Sequence, residues 1–409
     1  MQPFRRGPLA AALVFALIAP AALAAGVSVR ADAEVPAGSI FPSNRLTVFD
    51  GTQNTLRRVN LPKPDCSVRV SDCQDIDVIN TLDGFSTQPR ITIPFSGDID
   101  PASVNSQTVY LLNLGDTLGG AGRGERVGIN QTLWDPATKT LAVESDQLLR
   151  EHSRYLLIVT DGVRDAAGAP LQPGAWRDAS GLAGVLPQGQ DKAGLDYRRD
   201  LRDALRALPA ARARVVAASL FSTQSASADL TKINKAIKAT SPAPVDFVIG
   251  SSAGGAAVRA LFPVAQIGGI QFARQTGTAP SFTNSAVPVT ALGVVPGAVG
   301  QLAYGRFRSP DYATADKYIP PTGTLTGKPQ PQGHNDLVVQ VFLPAGNKPA
   351  GGWPVAIFGH GFTDSMYGAP WTVAAVMASQ GIATVAINVV GHGGGAAGTL
   401  TVQRSGADA

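Results

Sequence analysis

The sequence predicts a multidomain chain in which an all-β sandwich precedes a parallel sheet with flanking helices. Three observations carry that expectation. Residues 85–172 alternate apolar and polar side chains in short runs broken by Gly, Asp and Pro. Residues 190–240 repeat apolar side chains at helical spacing. Residues 353–393 read as strand, Gly-rich turn, helix and strand. At 409 residues the chain exceeds one average domain, and 44% hydrophobic residues suffice for real cores. Its 45 Gly and 30 Pro favour short strands and turns over long helices.

The first 24 residues read as a cleaved leader. Arg5 and Arg6 precede an almost purely apolar run from Leu9 to Ala19, Pro20 breaks it, and Ala22-Leu23-Ala24 fits a small-residue cleavage site. That is the pattern of a Sec-type secretory signal peptide, and the run is too short to span a bilayer. The mature protein is therefore expected outside the cytoplasm: secreted, periplasmic or at the cell surface. Without the two leader arginines, 32 basic residues face 30 acidic ones, a net of +2. Such a balance gives no case for nucleic acid as a partner. Arg198, Arg199, Arg202, Arg206, Arg212 and Arg214 are interleaved with Asp196, Asp200 and Asp203, which reads as a solvated helix face.

Cys66 and Cys73 are the only two cysteines. In an oxidising compartment a close pair predicts one disulfide, worth roughly 2.5 kcal/mol in the chain-entropy model. No His or second Cys pair lies near to suggest a metal.

The predicted sandwich domain spans 40–172. Its strands are read from "QPRITIPFSGDIDPASVNSQTVYLLNL", "LWDPATKTLAVE" and "HSRYLLIVTDGVRDAAGAPL". A helical connector is expected over 173–244. Leu201, Leu205, Leu208 and Val215 form one stripe, Pro209 separates two helices, and Leu230, Ile233 and Ile237 mark the second. From 245 to 409 strand-like runs return. "WPVAIFGHG", "GAPWTVAAVMASQ" and "IATVAINVVGHG" make a βαβ unit whose two strands are continuous apolar runs, as parallel strands covered on both faces require.

Candidate chemistry sits at the turns of that unit. Gly359 and Gly361 flank His360, and Phe362 follows. A sharp Gly turn after a buried strand lets a backbone N–H approach a substrate, as in the oxyanion loop after the third strand of α/β-hydrolases. The expected donor is the Phe362 N–H, with Gly361 and His360 completing the turn; one such donor is worth about 3 kcal/mol. Gly391-His392-Gly393 is expected to be a structural turn in which glycines allow positive φ. Gly250-Ser251-Ser252-Ala253-Gly254 is the one G-x-S-x-G match, making Ser252 an alternative nucleophile. About 0.3 such matches arise by chance in a chain this rich in glycine. The order is also wrong, because an oxyanion loop should precede the serine elbow. His152, His334, His360 and His392 are the only histidines, and none follows the last turn. H-E-x-x-H, C-x-x-C, P-loop and EF-hand patterns are missing, so no cofactor and no metal is expected.

Two resemblances extend this reading. "FSGDIDPASVN", the Tyr of "SRYLLIVT" and "DGVRDAAGAPL" resemble a bacterial Ig-like domain of the S-layer type over 85–172. "GRFRSPDY", "VFLPAGNKPAGGWPVAIFGHGFTDS", "MASQGIATVAINVVGHGGG" and "LFSTQSASADL" resemble bacterial virulence-factor lipases, secreted α/β-hydrolases. That resemblance implies a carboxylic-ester hydrolase with a Ser-His-Asp triad, no cofactor, a small-molecule or lipid ester substrate and contact with a lipid surface. It also implies that residues 245–409 are the N-terminal part of the hydrolase domain, with the triad expected beyond Ala409. The alternative is a non-catalytic cell-surface Ig-like binding or spacer protein.

Overall fold

The computed structural model describes residues 26–31, 38–173, 192–206, 208, 214–277, 279 and 281–406. The expected signal peptide, Pro209 and Arg212 lie outside the described residues. The chain divides into a first unit, Met1–Leu230 with Thr322–Lys328, and a second, Thr231–Pro321 with Pro329–Ala409. The fold is multidomain and rich in β-structure.

In the first unit the strands are β1 (Thr47–Phe49), β2 (Arg57–Val59), β3 (Ile91–Pro94), β4 (Val109–Asp116) and β5 (Arg126–Val127). They continue as β6 (Ile129–Asp135), β7 (Thr140–Ser145), β8 (Ser153–Thr160) and β9 (Val215–Ser222). Helix α1 (Val70–Ile79) lies between β2 and β3, and α2 (Lys192–Arg206) between β8 and β9. Antiparallel pairing gives one sheet in the order β3-β7-β6 and another in the order β5-β4-β8-β9. Strand β4 shows why: its buried residues alternate strictly, with Val109 and Leu111 turned inward. Ile91, Ile93, Leu141 and Val143 from one sheet meet Val109, Leu111, Leu157 and Phe221 from the other in a single core. Fully burying each such side chain is worth about 1.5–3 kcal/mol.

Strand β8 reads as a continuous apolar run because both of its faces are covered. Leu156 and Ile158 point away from the sandwich core and pack under Tyr197, Leu201 and Leu205 of α2. The helical connector expected over 173–244 is corrected here. Its first helix is α2, but Val215–Ser222 is β9, an all-buried strand paired with β8. The β-branched, apolar segment "VVAASLFS" satisfies an open sheet edge, and that pairing overrides the apparent helical stripe through Val215.

The motifs of the sandwich have local causes. Asp100 caps the turn through Ala102 N–H at 3.0 Å. Asp165 accepts from Ala167 and Ala169 N–H at 2.9 and 2.8 Å, and Gly168 takes the positive φ of 83° that closes this turn. The Tyr155 hydroxyl accepts from Arg150 N–H at 3.0 Å and from Asn113 Nδ2 at 3.2 Å. A tyrosine bonded back to backbone just upstream is a recurrent corner of Ig-type sandwiches. Burial pushes the Tyr155 phenol above its usual pKa.

A polar knot joins distant segments of this unit. Buried Asp83 accepts from Ser225 N–H at 2.8 Å, Ser225 Oγ at 2.7 Å and Thr324 Oγ1 at 2.6 Å. The Thr324 N–H donates to Gln53 Oε1 at 2.9 Å, and Leu325 N–H donates to Thr52 O at 2.9 Å.

Helix α3 (Ala228–Lys238) follows β9. The second unit then has β10 (Gly250–Ser251), β11 (Ala257–Val258), β12 (Leu261–Pro263), β13 (Ile267–Gln275), β14 (Phe282–Ala286) and β15 (Val299–Asp311). They are followed by β16 (Gly333–Pro344), β17 (Val355–Phe358), α4 (Pro370–Ser379), β18 (Ala383–Ile387) and β19 (Leu400–Arg404). Its main sheet has the order β12-β15-β16-β18-β17. Only β17 and β18 are parallel, joined by α4; the other neighbours are antiparallel. The expected parallel sheet with flanking helices is thus corrected to a mixed sheet with one parallel pair. A parallel pair needs a crossover, which α4 supplies, and no helix separates β15 from β16. Phe342 and Trp371 meet edge to face at 4.9 Å in the core beneath α4. A smaller antiparallel sheet has the order β14-β13-β19.

Two substitutions test the first unit. Asp83→Ala leaves the Ser225 N–H and hydroxyl without their acceptor and is expected to cost about 3 kcal/mol in urea unfolding. Tyr155→Phe removes one acceptor for two donors and is expected to cost about 1–2 kcal/mol by the same measurement.

Candidate functional site

Because β17 and β18 are parallel, the loops that follow them leave from the same end of the sheet. The first loop spans 359–368 and the second 388–394. Two imidazoles join them reciprocally. His360 Nε2 accepts from Val389 N–H at 3.1 Å, and His392 Nε2 accepts from Thr363 N–H at 3.2 Å. Each Nε2 is therefore a lone pair, and each proton lies on Nδ1. His360 Nδ1–H then donates to Gly361 O at 3.0 Å, and His392 Nδ1–H to Val390 O at 3.2 Å. The two rings lie 5.0 Å apart, and His360 is buried.

The rest of the first loop is pinned as well. Asn388 Oδ1 accepts from Met366 N–H at 2.8 Å, and Gln340 Nε2 donates to Met366 O at 2.9 Å. Asp364 Oδ2 accepts from Ala369 N–H at 3.1 Å, just ahead of Pro370 at the start of α4. Thr363 holds a positive φ of 67°, and Gly391 and Gly393 take 82° and 68°.

Between these fixed points the Phe362 N–H donates to no group among the described residues, while its side chain is 90% exposed and edge-on to His392 at 5.9 Å. Chemically, the Phe362 N–H is an unengaged backbone donor in a loop tied down on either side, and Ile357 and Val390 are exposed. It does not gather the whole of 359–363 into a donor set, because Thr363 N–H is committed to His392.

Ser252 lies elsewhere, in the turn of the β10–β11 hairpin. Its Oγ accepts from Ala256 N–H at 3.2 Å and its N–H donates to Ala256 O at 2.8 Å. A nucleophile elbow needs strand, turn and helix, whereas the turn of Ser252 is followed by the short strands β11 (Ala257–Val258) and β12 (Leu261–Pro263) and not by a helix. His334 is exposed on β16 opposite Pro310. His152 sits in the first unit with a buried Nδ1. Cys66 and Cys73 are joined as a disulfide at the start of α1. Among the described residues there is no group of three or more His, Cys, Asp or Glu able to hold a metal. No helix among them is long and apolar enough to cross a membrane.

Sequence reasoning missed Asn388, Asp364 and Thr363. Asn388 carried a signal: it is the polar residue that closes the apolar run of β18.

Residues 75–177 match the model of a bacterial Ig-like domain, and this is the class of module that the first unit contains. No curated protein matches the chain. Among solved structures, it is similar to the N-terminal part of the bacterial S-layer protein SbsC at 10% identity and a TM-score of 0.20, covering 69% of this chain and 46% of that one. It is also similar to the S-layer protein rSbsC at 11% identity and a TM-score of 0.19, covering 70% and 36%. The chain thus spans less than half the length of those proteins.

Removal of either imidazole tests the clasp. His392→Phe keeps a ring but loses the acceptor for Thr363 N–H. Hydrogen exchange at that amide is expected to speed up about five- to tenfold, with α2 amides unchanged.

Proposed function

We propose that the protein acts outside the cytoplasm, at the cell surface or secreted, with its Ig-like sandwich spacing or docking the second unit and with no ester turnover from its own described residues. The Ig-like match and the Cys66–Cys73 disulfide support the location. The observation that carries the lack of turnover concerns the histidines. Both ring nitrogens of His360 and of His392 are engaged with backbone groups, and among the described residues no serine hydroxyl is bonded to an imidazole. A serine nucleophile needs such a base. Purified chain assayed with p-nitrophenyl butyrate is expected to give no burst and no turnover; activity that disappears in Ser252→Ala would contradict this.

A second reading is favoured by the β17–α4–β18 connection and its loop. A mixed sheet with one antiparallel hairpin ahead of a parallel βαβ unit, and an unengaged N–H at Phe362 after β17, suit the opening half of an α/β-hydrolase. On that reading the family is that of secreted virulence-factor lipases, and Phe362 N–H would hold the oxyanion of a carboxylic or lipid ester. Hydrolysis of a p-nitrophenyl ester by the protein would then lose about 100-fold in kcat, with KM little changed, in Phe362→Pro, which removes the donor. No turnover, or a rate that Phe362→Pro leaves unmoved, would leave the spacer reading standing alone.

A further inference from the structure

On the face of the five-stranded sheet covered by α4, four polar side-chain atoms are buried without a hydrogen-bond partner among the described residues. They are Tyr304 Oη, Gln340 Oε1, Trp371 Nε1 and Thr384 Oγ1. Their residues are 3%, 0%, 0% and 1% exposed. The strand register brings them together. Tyr304 lies directly opposite Gln340, Gln340 opposite Ala386, and Phe342 opposite Thr384. Residues two apart on a strand share a face, so all of these side chains project on one side. Trp371 lies on that side too, edge-on to Phe342 at 4.9 Å. Small residues surround the group: Ala386 lies between Gln340 and the last residue of β17, and α4 turns Ala374, Ala375 and Ala378 inward.

Native cores seldom keep several polar atoms unpaired together. The inventory here is complementary rather than redundant. The Trp371 indole N–H only donates, the Gln340 carbonyl oxygen only accepts, and the Tyr304 and Thr384 hydroxyls do both. The amide orientation is fixed, because Gln340 Nε2 already donates to Met366 O at 2.9 Å. Burial pushes the Tyr304 phenol well above its usual pKa and that of neighbouring Tyr367 up to about 12, which keeps both protonated. A molecule able to accept once or twice and donate twice at this point satisfies the set, and water is the smallest that does.

We propose that this face is a binding site for resident internal water, a single molecule or a pair, which accepts from Trp371 Nε1–H and donates to Gln340 Oε1, with the hydroxyls of Thr384 and Tyr304 completing its bonds. The site has a positioning role. Bound water fixes the Gln340 amide, that amide holds Met366 O, and Met366 N–H is held in turn by Asn388, so the loop after β17 is seated on buried solvent.

The test uses the full 15N-labelled chain. The indole signal of Trp371 is assigned by its loss in Trp371→Phe and examined for a dipolar cross-peak to long-lived water, while Thr384→Val is compared with the parent in thermal unfolding. The proposal expects the cross-peak and a Thr384→Val midpoint lower by about 2–4 °C, since a bound water loses a partner. Absence of the cross-peak, or a Thr384→Val midpoint above the parent, would overturn it, because removing a hydroxyl from a dry core relieves a penalty.

Discussion

Two neutral imidazoles set the geometry of the end of the sheet where β17 and β18 finish. Each lends its Nε2 lone pair to a backbone N–H of the opposite loop: His360 to Val389, and His392 to Thr363. The arrangement depends on both protons residing on Nδ1, and each Nδ1–H is occupied locally by a carbonyl oxygen. Parallel pairing of β17 and β18 makes the exchange geometrically available, since it brings both loops to one end. Gly391 and Gly393 beside His392 take positive φ, in the first loop Thr363 does so instead, and the Phe362 N–H is a donor that its turn does not use. A lone pair committed to a backbone amide cannot also take a proton from a serine, so structural use of the histidines and their use as a catalytic base exclude one another.

Much of the sandwich was readable in the sequence because its physics is local. The Asp-Pro and Asp-x-x-Gly turns make their own hydrogen bonds within four residues, and the period-two burial of β4 follows directly from the residue pattern. β9 was not readable. Its residues are apolar on both faces because α2 covers one of them, so the alternation that marks a half-buried strand is missing. The G-x-S-x-G segment misled for a related reason: its glycines suit a hairpin turn as well as an elbow, and the pairing of β10 with β11 decides between them.

At the candidate site, the loop positions were visible as glycine and histidine at the ends of apolar runs, but their partners were not. Asn388 holding Met366 and His392 holding Thr363 are contacts across more than twenty residues, and no spacing rule encodes them. The same holds for Asp83, whose partners Ser225 and Thr324 come from far along the chain. In a low-dielectric interior such groups are costly unless paired, which is why the fold gathers them from such distances.

The tautomeric state of the two histidines bears most directly on this account. Long-range proton–nitrogen correlation on the 15N-labelled chain, with His360 and His392 assigned by substitution, reads it for each ring. The account expects both to be neutral with the proton on Nδ1 and an unprotonated, hydrogen-bonded Nε2. A proton on Nε2 of either ring, or signals averaged between the two tautomers, would contradict it.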